Sequence, residues 1–375
     1  MAYQLNAGEH PMEGLQRILL EIVDTAVTEL TAAPDGPHQA VHNTRKGCKR
    51  IRAALRLGRA ALGETVYAHE NAFVRDASRR LSAVRDSKVI VDAFDAAAAN
   101  FAGALPAPRY AAIRAQLVSH HEDTGRQILD ERGETAVVAQ RLSQFCDRIA
   151  ALSAPPGPEA DDFSLLAPGL ERVYRRAWQA LERAYAANRP EAFHEWRKQV
   201  KYLWHQVEIL QPAWPAHLEG LAKALHQLSD FLGDAHDLHE LARTLQDAPE
   251  RFGDDDDLTM LLALIGQWRA EFEAAAQPLG TRLFSEPPDT FVARMAAYWE
   301  AWRTLGPPAD GPALADALVL AQPAPLPAQL LSTRAAAARL GLSPGQVRAR
   351  IRSGALPAAR VGNVWVIQAA DLEAP

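Results

Sequence analysis

A four-residue pattern that occurs twice constrains this chain more than any other feature. His42, Arg45, Lys46 and Lys49 return 152 positions later as His194, Arg197, Lys198 and Lys201. The stretch Leu81 to Asp86 keeps the same Leu-to-Asp spacing as Leu232 to Asp237, at an offset of 151. Offsets that differ by only one residue at separate sites imply an internal duplication. Apolar positions recur every three or four residues through most of residues 8 to 305, and the breaks fall at proline and glycine clusters. The predicted helices are 8–33, 38–62, 66–99, 108–131 and 135–152. After the proline-rich Ala154 to Pro158 they continue as 165–188, 190–211, 215–247, 257–277 and 288–304. Gly233 and Asp234 fit a kink or turn between helical stretches. The predicted organisation is a first helical repeat at 1–153, a second at 154–305, a Pro/Ala linker at 306–328 and a small separate domain at 329–375.

Charge is segregated along the chain. A net charge of −6 over 375 residues argues against a protein that coats nucleic acid uniformly, so any anion site has to be local. From His42 to Arg59 there are Arg45, Lys46, Lys49, Arg50, Arg52, Arg56 and Arg59 without one carboxylate, whereas Gly253 to Asp257 is almost wholly acidic. On a helix, positions 42, 45, 46, 49, 52 and 56 lie along one face. The opposite face carries Cys48, Ile51, Leu55 and Leu62, which makes Cys48 a packing residue rather than a reactive thiol. Val200, Leu203, Val207 and Leu210 play the same part in the second copy.

Like charges three and four residues apart destabilise a helix by roughly a few tenths of a kcal/mol per pair. A solvated stripe, or one paired with Asp86, Asp234 and Asp237, would be the bland explanation. Two observations weigh against it: the stripe is repeated, and four of the chain's six lysines sit at equivalent positions of the repeats while the other 34 basic residues are arginines. A linear polyphosphate suits such a surface, because its phosphoryl oxygens accept charge-assisted bonds from guanidinium, ammonium and imidazolium groups. The histidines would be held protonated by the anion and act as donors.

The residues His42, Arg45, Lys46, Lys49, Arg50 and Arg52, then His194, Arg197, Lys198 and Lys201, and the LeuGlyAspAlaHisAsp stretch ending at Asp237, resemble a CHAD domain, the conserved-histidine α-helical family, over residues 8 to about 305. The resemblance implies an all-α fold of two pseudo-symmetric long-helix bundles whose basic helices line a groove or pore for inorganic polyphosphate. Tyr174, Arg175 and Arg176 resemble the family's basic first helix of the second half, and Arg56 extends the stripe of the first. The second half departs from the pattern: Trp204 stands where the first repeat has Arg52, and Tyr202 where it has Arg50.

Asp234, His236, Asp237 and His239 have spacings at which metal ligands occur. Asp237, however, matches Asp86 of the first copy, which has no histidine beside it. The expectation is therefore no metal and no cofactor, with the aspartates orienting basic side chains from behind. Asp254 to Asp257 would form a solvated loop capping the next helix. His120 and His121 are assigned no function. Cys48 and Cys146 give neither a disulfide framework nor a metal spacing. The start lacks a signal-peptide pattern, and the longest apolar run, near Met260 to Ile265, is too short to cross a bilayer. These features predict a cytoplasmic protein, at polyphosphate granules or the nucleoid, with no membrane partner.

From Leu331 the pattern changes. Thr333 is placed to cap one short helix, Gly341 to end it, and Ser343 to cap a second. Val361 to Ile367 read as a hairpin turning at Gly362 and Asn363. The segment resembles the excisionase or MerR-like winged helix-turn-helix family, which implies DNA binding through Arg348, Arg350, Arg352 and Arg360. Val364 and Val366 flank Trp365 where that family carries arginines. Residues 329 to 375 hold six arginines against Asp371 and Glu373, a net charge of +4.

The favoured sequence reading is a non-catalytic polyphosphate-binding protein joined to a DNA-binding module. The alternatives are a transcription regulator whose helical part senses another anion, and a phosphate-processing enzyme. The enzyme would need metal-holding carboxylates or a glycine-rich phosphate loop, and neither is evident.

Overall fold

Several helices begin at a proline. The computed structural model describes residues 3–104, 106–152, 163–253, 256–305, 330–361 and 364–372. Its helices are α1 (Pro11–Ala32), α2 (Pro37–Leu57), α3 (Arg59–Leu62), α4 (Glu64–Arg80), α5 (Ser82–Asn100), α6 (Ala107–Gly125), α7 (Glu134–Ala150), α8 (Ala167–Ala187), α9 (Pro190–Leu210), α10 (Pro215–Gln246), α11 (Pro249–Phe252), α12 (Asp256–Leu283) and α13 (Pro288–Leu305). Pro11, Pro37 and Pro190 each open a helix, where the missing N–H would have no intrahelical partner. At α1, His10 Nδ1 accepts from the Met12 amide at 3.2 Å. A π-helical turn, Arg126–Glu131, follows α6.

Several expectations about the long helices need correction. The helix expected over 38–62 breaks at Gly58, and the one over 66–99 breaks at Leu81. In the second half the reverse holds, since α10 runs unbroken through Gly233, where a kink was expected. Leu232, Ala235 and Leu238 are buried around it, and burial of that face outweighs the roughly 1 kcal/mol helix penalty of one glycine. The helix expected to end at 277 continues through Pro278 to Leu283, because Ala276 and Leu279 stay buried on either side of the proline.

The chain forms two compact units. The first, within 3–85, 124–232 and 276–305, is a helical bundle in which α1 packs on α2 and α7, and α8 packs on α9 and α13. Helix α2 touches α1, α4, α8 and α9, so most of its circumference is covered. Two glycines permit close approaches here. A Cβ on Gly169 would stand 2.2 Å from the Leu57 carbonyl oxygen, and one on Gly280 would stand 2.6 Å from the Trp196 ring.

The second unit lies within 86–123, 233–275 and 330–372. Its helical core gathers Phe94, Phe101, Ile113, Leu241, Leu245, Phe252 and Leu261. The C-terminal module has β1 (Leu330–Ser332), α14 (Thr333–Leu340), α15 (Pro344–Arg352), β2 (Ala359–Val361) and β3 (Val364–Gln368), with an antiparallel sheet in the order β1-β3-β2. Val361 pairs with Val364 as the hairpin reading requires, and the turn residues Gly362 and Asn363 lie outside the described residues. Strand β1 was not foreseen. The first helix is capped by Ser332, whose hydroxyl accepts from the Ala335 amide at 2.9 Å, and not by Thr333, which is already helical. Ser343 caps α15 in a reciprocal capping box with Gln346, and Gly341, at φ 64°, ends α14.

Candidate functional site

The buried positions of α2 and α9 fix how each helix is turned. Ala40, Val41, Thr44, Cys48, Ile51, Ala54, Leu55 and Leu57 are buried on α2, which leaves His42, Arg45, Lys49, Arg52 and Arg56 as a narrow half-buried stripe. Cys48 is a core residue, and burial pushes its thiol up to about 11. On α9, Phe193, Trp196, Val200, Leu203, Val207 and Leu210 are buried, while His194, Arg197 and Lys201 are half-buried. The two helices pack together.

Lys49 reports the electrostatics of this seam. Burial first, and then the cations Lys201, Arg197, Arg45 and Arg85, push its ammonium down to about 7. His42 is also lowered, by burial and then by Arg85, Lys46, Lys49 and Lys201. Cations from both copies of the repeated pattern therefore act on one half-buried lysine. Protonated histidines are the expectation for the anion-bound protein; without an anion beside it, His42 is biased towards neutrality.

The C-terminal part of the stripe has its own framework. Arg52 Nε and Arg56 Nη1 both donate to Asn71 Oδ1, at 3.2 and 2.9 Å. Arg56 also donates to the Arg52 carbonyl at 2.7 Å. Its guanidinium lies 3.8 Å from the centre of the Tyr202 ring, with Arg52 at 5.8 Å. Arg176 acts electrostatically on Arg56. Arg45 Nη1 donates to the Ser78 carbonyl at 2.8 Å, near the end of α4.

Other predicted site residues have different surroundings. Arg50 lies over the Tyr3 ring at 4.9 Å and 4.0 Å from Glu208. Lys46 is exposed, and with Arg50 it lines a cavity of about 400 Å³ whose α1 wall carries Glu21 and Glu29. Lys198 pairs with Glu195 at 2.5 Å, and Arg175 with Glu171 on its own helix. In the C-terminal module, Arg350 and Arg352 are exposed. Arg360 lies 5.8 Å from the centre of the Trp365 ring on β3, and Arg348 is 3.9 Å from Asp256.

Sequence reading missed Arg85, Asn71 and the role of Tyr202. Arg85 sits directly before Asp86 inside the stretch already singled out, so its signal was present but was credited to the aspartate. In the sequence Tyr202 shows only as an arginine missing from the second repeat. Nothing in the sequence marks Asn71. Trp196 is fully buried, and Trp204 stacks on His205 and His226 at 4.4 and 4.0 Å. Asp257, expected in a solvated loop, is 3% exposed, whereas Asp256 is open to solvent. Both are already in the first turn of α12, where neighbouring positions point in different directions. Asp254 and Asp255 lie outside the described residues.

The CHAD domain model matches residues 17–246, more than half of the chain. The chain belongs to the CHAD family. CHAD is a non-catalytic fold, and among the described residues no three His, Cys, Asp or Glu side chains gather where they could hold a metal ion. A helix-turn-helix domain model matches residues 330–374. The chain is similar to the crystal structure of the CHAD domain from the plant Ricinus communis, with 17% identity, 80% of this chain and 94% of that chain covered, and a TM-score of 0.42. The search of curated proteins found no match. Among the described residues no helix is long and apolar enough to cross a membrane.

Proposed function

We propose that the seam between α2 and α9 is a non-catalytic binding site for a linear polyanion, inorganic polyphosphate, formed by a duplicated basic helix, and that the C-terminal module binds DNA. The observation that carries the first part is Lys49, held half-buried among Lys201, Arg197, Arg45 and Arg85. Such a concentration of positive charge disfavours the empty protein and is relieved by an anion that touches several of the cations at once. An extended chain of phosphates does so along the helix axis. His42, Arg45 and Lys49 of the first copy and His194, Arg197 and Lys201 of the second hold its middle. Arg52, Arg56 and Arg176 extend the track, and Lys46, Arg50, Arg175 and Lys198 contribute from its margins.

For the second part, Arg348, Arg350, Arg352 and Arg360 provide cations on the second helix and the hairpin, with a net charge of +4 on the module. These are suited to phosphate contacts. The experiment is a titration of long-chain polyphosphate against the natural chain and a Lys46, Lys49, Lys198, Lys201 to Ala variant at several salt concentrations. Loss of affinity and a shallower salt dependence in the variant are expected. Equal binding by the two proteins would overturn the reading.

A further inference from the structure

The C-terminal module rests on helical segments of its own compact unit through strand β3. Along this strand the side chains alternate. Trp365 and Ile367 pack into the module's core with Leu331, Val347 and Leu356. Val366 turns the other way and is 4% exposed, within the helical cluster of Leu241, Leu245, Phe252 and Leu258. Elsewhere on the same junction, a Cβ on Gly103 would meet the Leu331 side chain at 3.5 Å. The valine that replaces an expected phosphate-contacting arginine is thus an intramolecular docking residue.

Charge crosses the same junction. Arg334, on α14, lies 3.7 Å from Asp257, and Arg348, on the second helix of the module, lies 3.9 Å from Asp256. The acids belong to a sequence of four consecutive aspartates, Asp254 to Asp257, and face a module of net charge +4. An apolar anchor and two ion pairs are independent observations of one contact.

We infer that the N-terminus of α12 restrains the helix-turn-helix module, its aspartates occupying cations that would otherwise meet the phosphates of duplex DNA. This rests on the DNA-binding reading of the module. The Arg348–Asp256 pair is solvent-exposed and therefore weak and salt-sensitive, as a contact that must break to admit DNA requires. Arg350, Arg352 and Arg360 remain exposed and give DNA an initial hold before Arg348 exchanges partners.

The test uses the full chain, with binding to a mixed-sequence DNA duplex followed by fluorescence anisotropy at fixed low salt, and amide hydrogen exchange of β3 followed in parallel. An Asp256→Asn, Asp257→Asn variant is expected to bind DNA about fivefold more tightly, roughly 1 kcal/mol by affinity arithmetic, and to exchange faster at β3. Asp256→Asn alone, at an exposed side chain, is expected to change both in the same direction. Asp24→Asn with Glu300→Gln makes the same change in net charge at exposed positions elsewhere, and is expected to change neither by as much.

Faster exchange with unchanged DNA affinity would overturn the restraint. Unchanged exchange would overturn the docking contact itself. No DNA binding by any variant, with β3 released, would overturn the restraint and place the fault in the DNA-binding reading.

Discussion

Replacing Lys49 by Met should stabilise the empty protein while it weakens anion binding. Methionine keeps the length and flexibility of the lysine stem without its charge. A lysine whose ordinary value of 10.5 is pushed down to about 7 carries a folding penalty of about 5 kcal/mol when fully charged, at about 1.4 kcal/mol per tenfold change. The folded value lies below the unfolded one, so the penalty is absent above pH 10.5, grows as pH falls, and is complete below pH 7. At pH 7 about 4 kcal/mol remains, and screening at the solvent-facing side of the seam reduces this to roughly 2 kcal/mol. For a bundle of this size that corresponds to a rise in melting temperature of about 4 to 8 °C. Thermal melts of the two proteins at about pH 7 and about pH 10, without and with polyphosphate, provide the assay. The variant should melt higher at the lower pH, lose most of that advantage at the higher, and gain less from polyphosphate. A variant that melts lower than the natural chain near neutral pH, or gains equally at both values, would mean that the Lys49 charge does not burden the empty protein.

Polyphosphate binding should draw protons from solution, because an anion restores the lowered values of His42 and Lys49. Affinity should therefore fall as pH rises from about 7 towards 10, by up to about tenfold per pH unit for one proton, as measured by calorimetry in buffers of different ionisation enthalpy. Tyr202→Leu removes the ring that positions Arg56 and should weaken polyphosphate binding by less than about 1 kcal/mol, the usual size of a cation–π contact, because the contact already exists in the empty protein, with helix content unchanged by circular dichroism. Gly169→Ala places a methyl group 2.2 Å from the Leu57 carbonyl oxygen. It should cost about 3 kcal/mol by overpacking, read as a lowered denaturation midpoint.

The helical part of the fold was legible because its boundaries are local chemistry. Pro37 and Pro190 start the two basic helices, and their apolar faces fix their rotation. The same local reading failed at Gly233 and Pro278, where burial of the surrounding leucines and alanines overrides two helix-breaking residues. It also failed at Leu81, where α4 gives way to α5 without a proline or glycine to announce it. At the site, charge was legible and context was not. The lysines and arginines of the stripe could be counted, but the Tyr202 ring under Arg56, the Asn71 bridge and the pressure of Arg85 on Lys49 arise only when distant segments meet. Val366 shows the same limit: its alternation in β3 could be read, but not the helical cluster that receives it.

Whether α2 and α9 together form a single polyanion site is decided by a double-mutant cycle. Polyphosphate affinity is measured at one pH and salt concentration for the natural chain, Lys49→Ala, Lys201→Ala and the double variant. Because Lys201 is the cation that depresses Lys49 most, its removal lets Lys49 bind in its charged form at less cost. The two losses should therefore be coupled, with the double variant departing from their sum by about 1 kcal/mol. Additive losses, or a loss confined to one of the two lysines, would contradict a single site built from both helices.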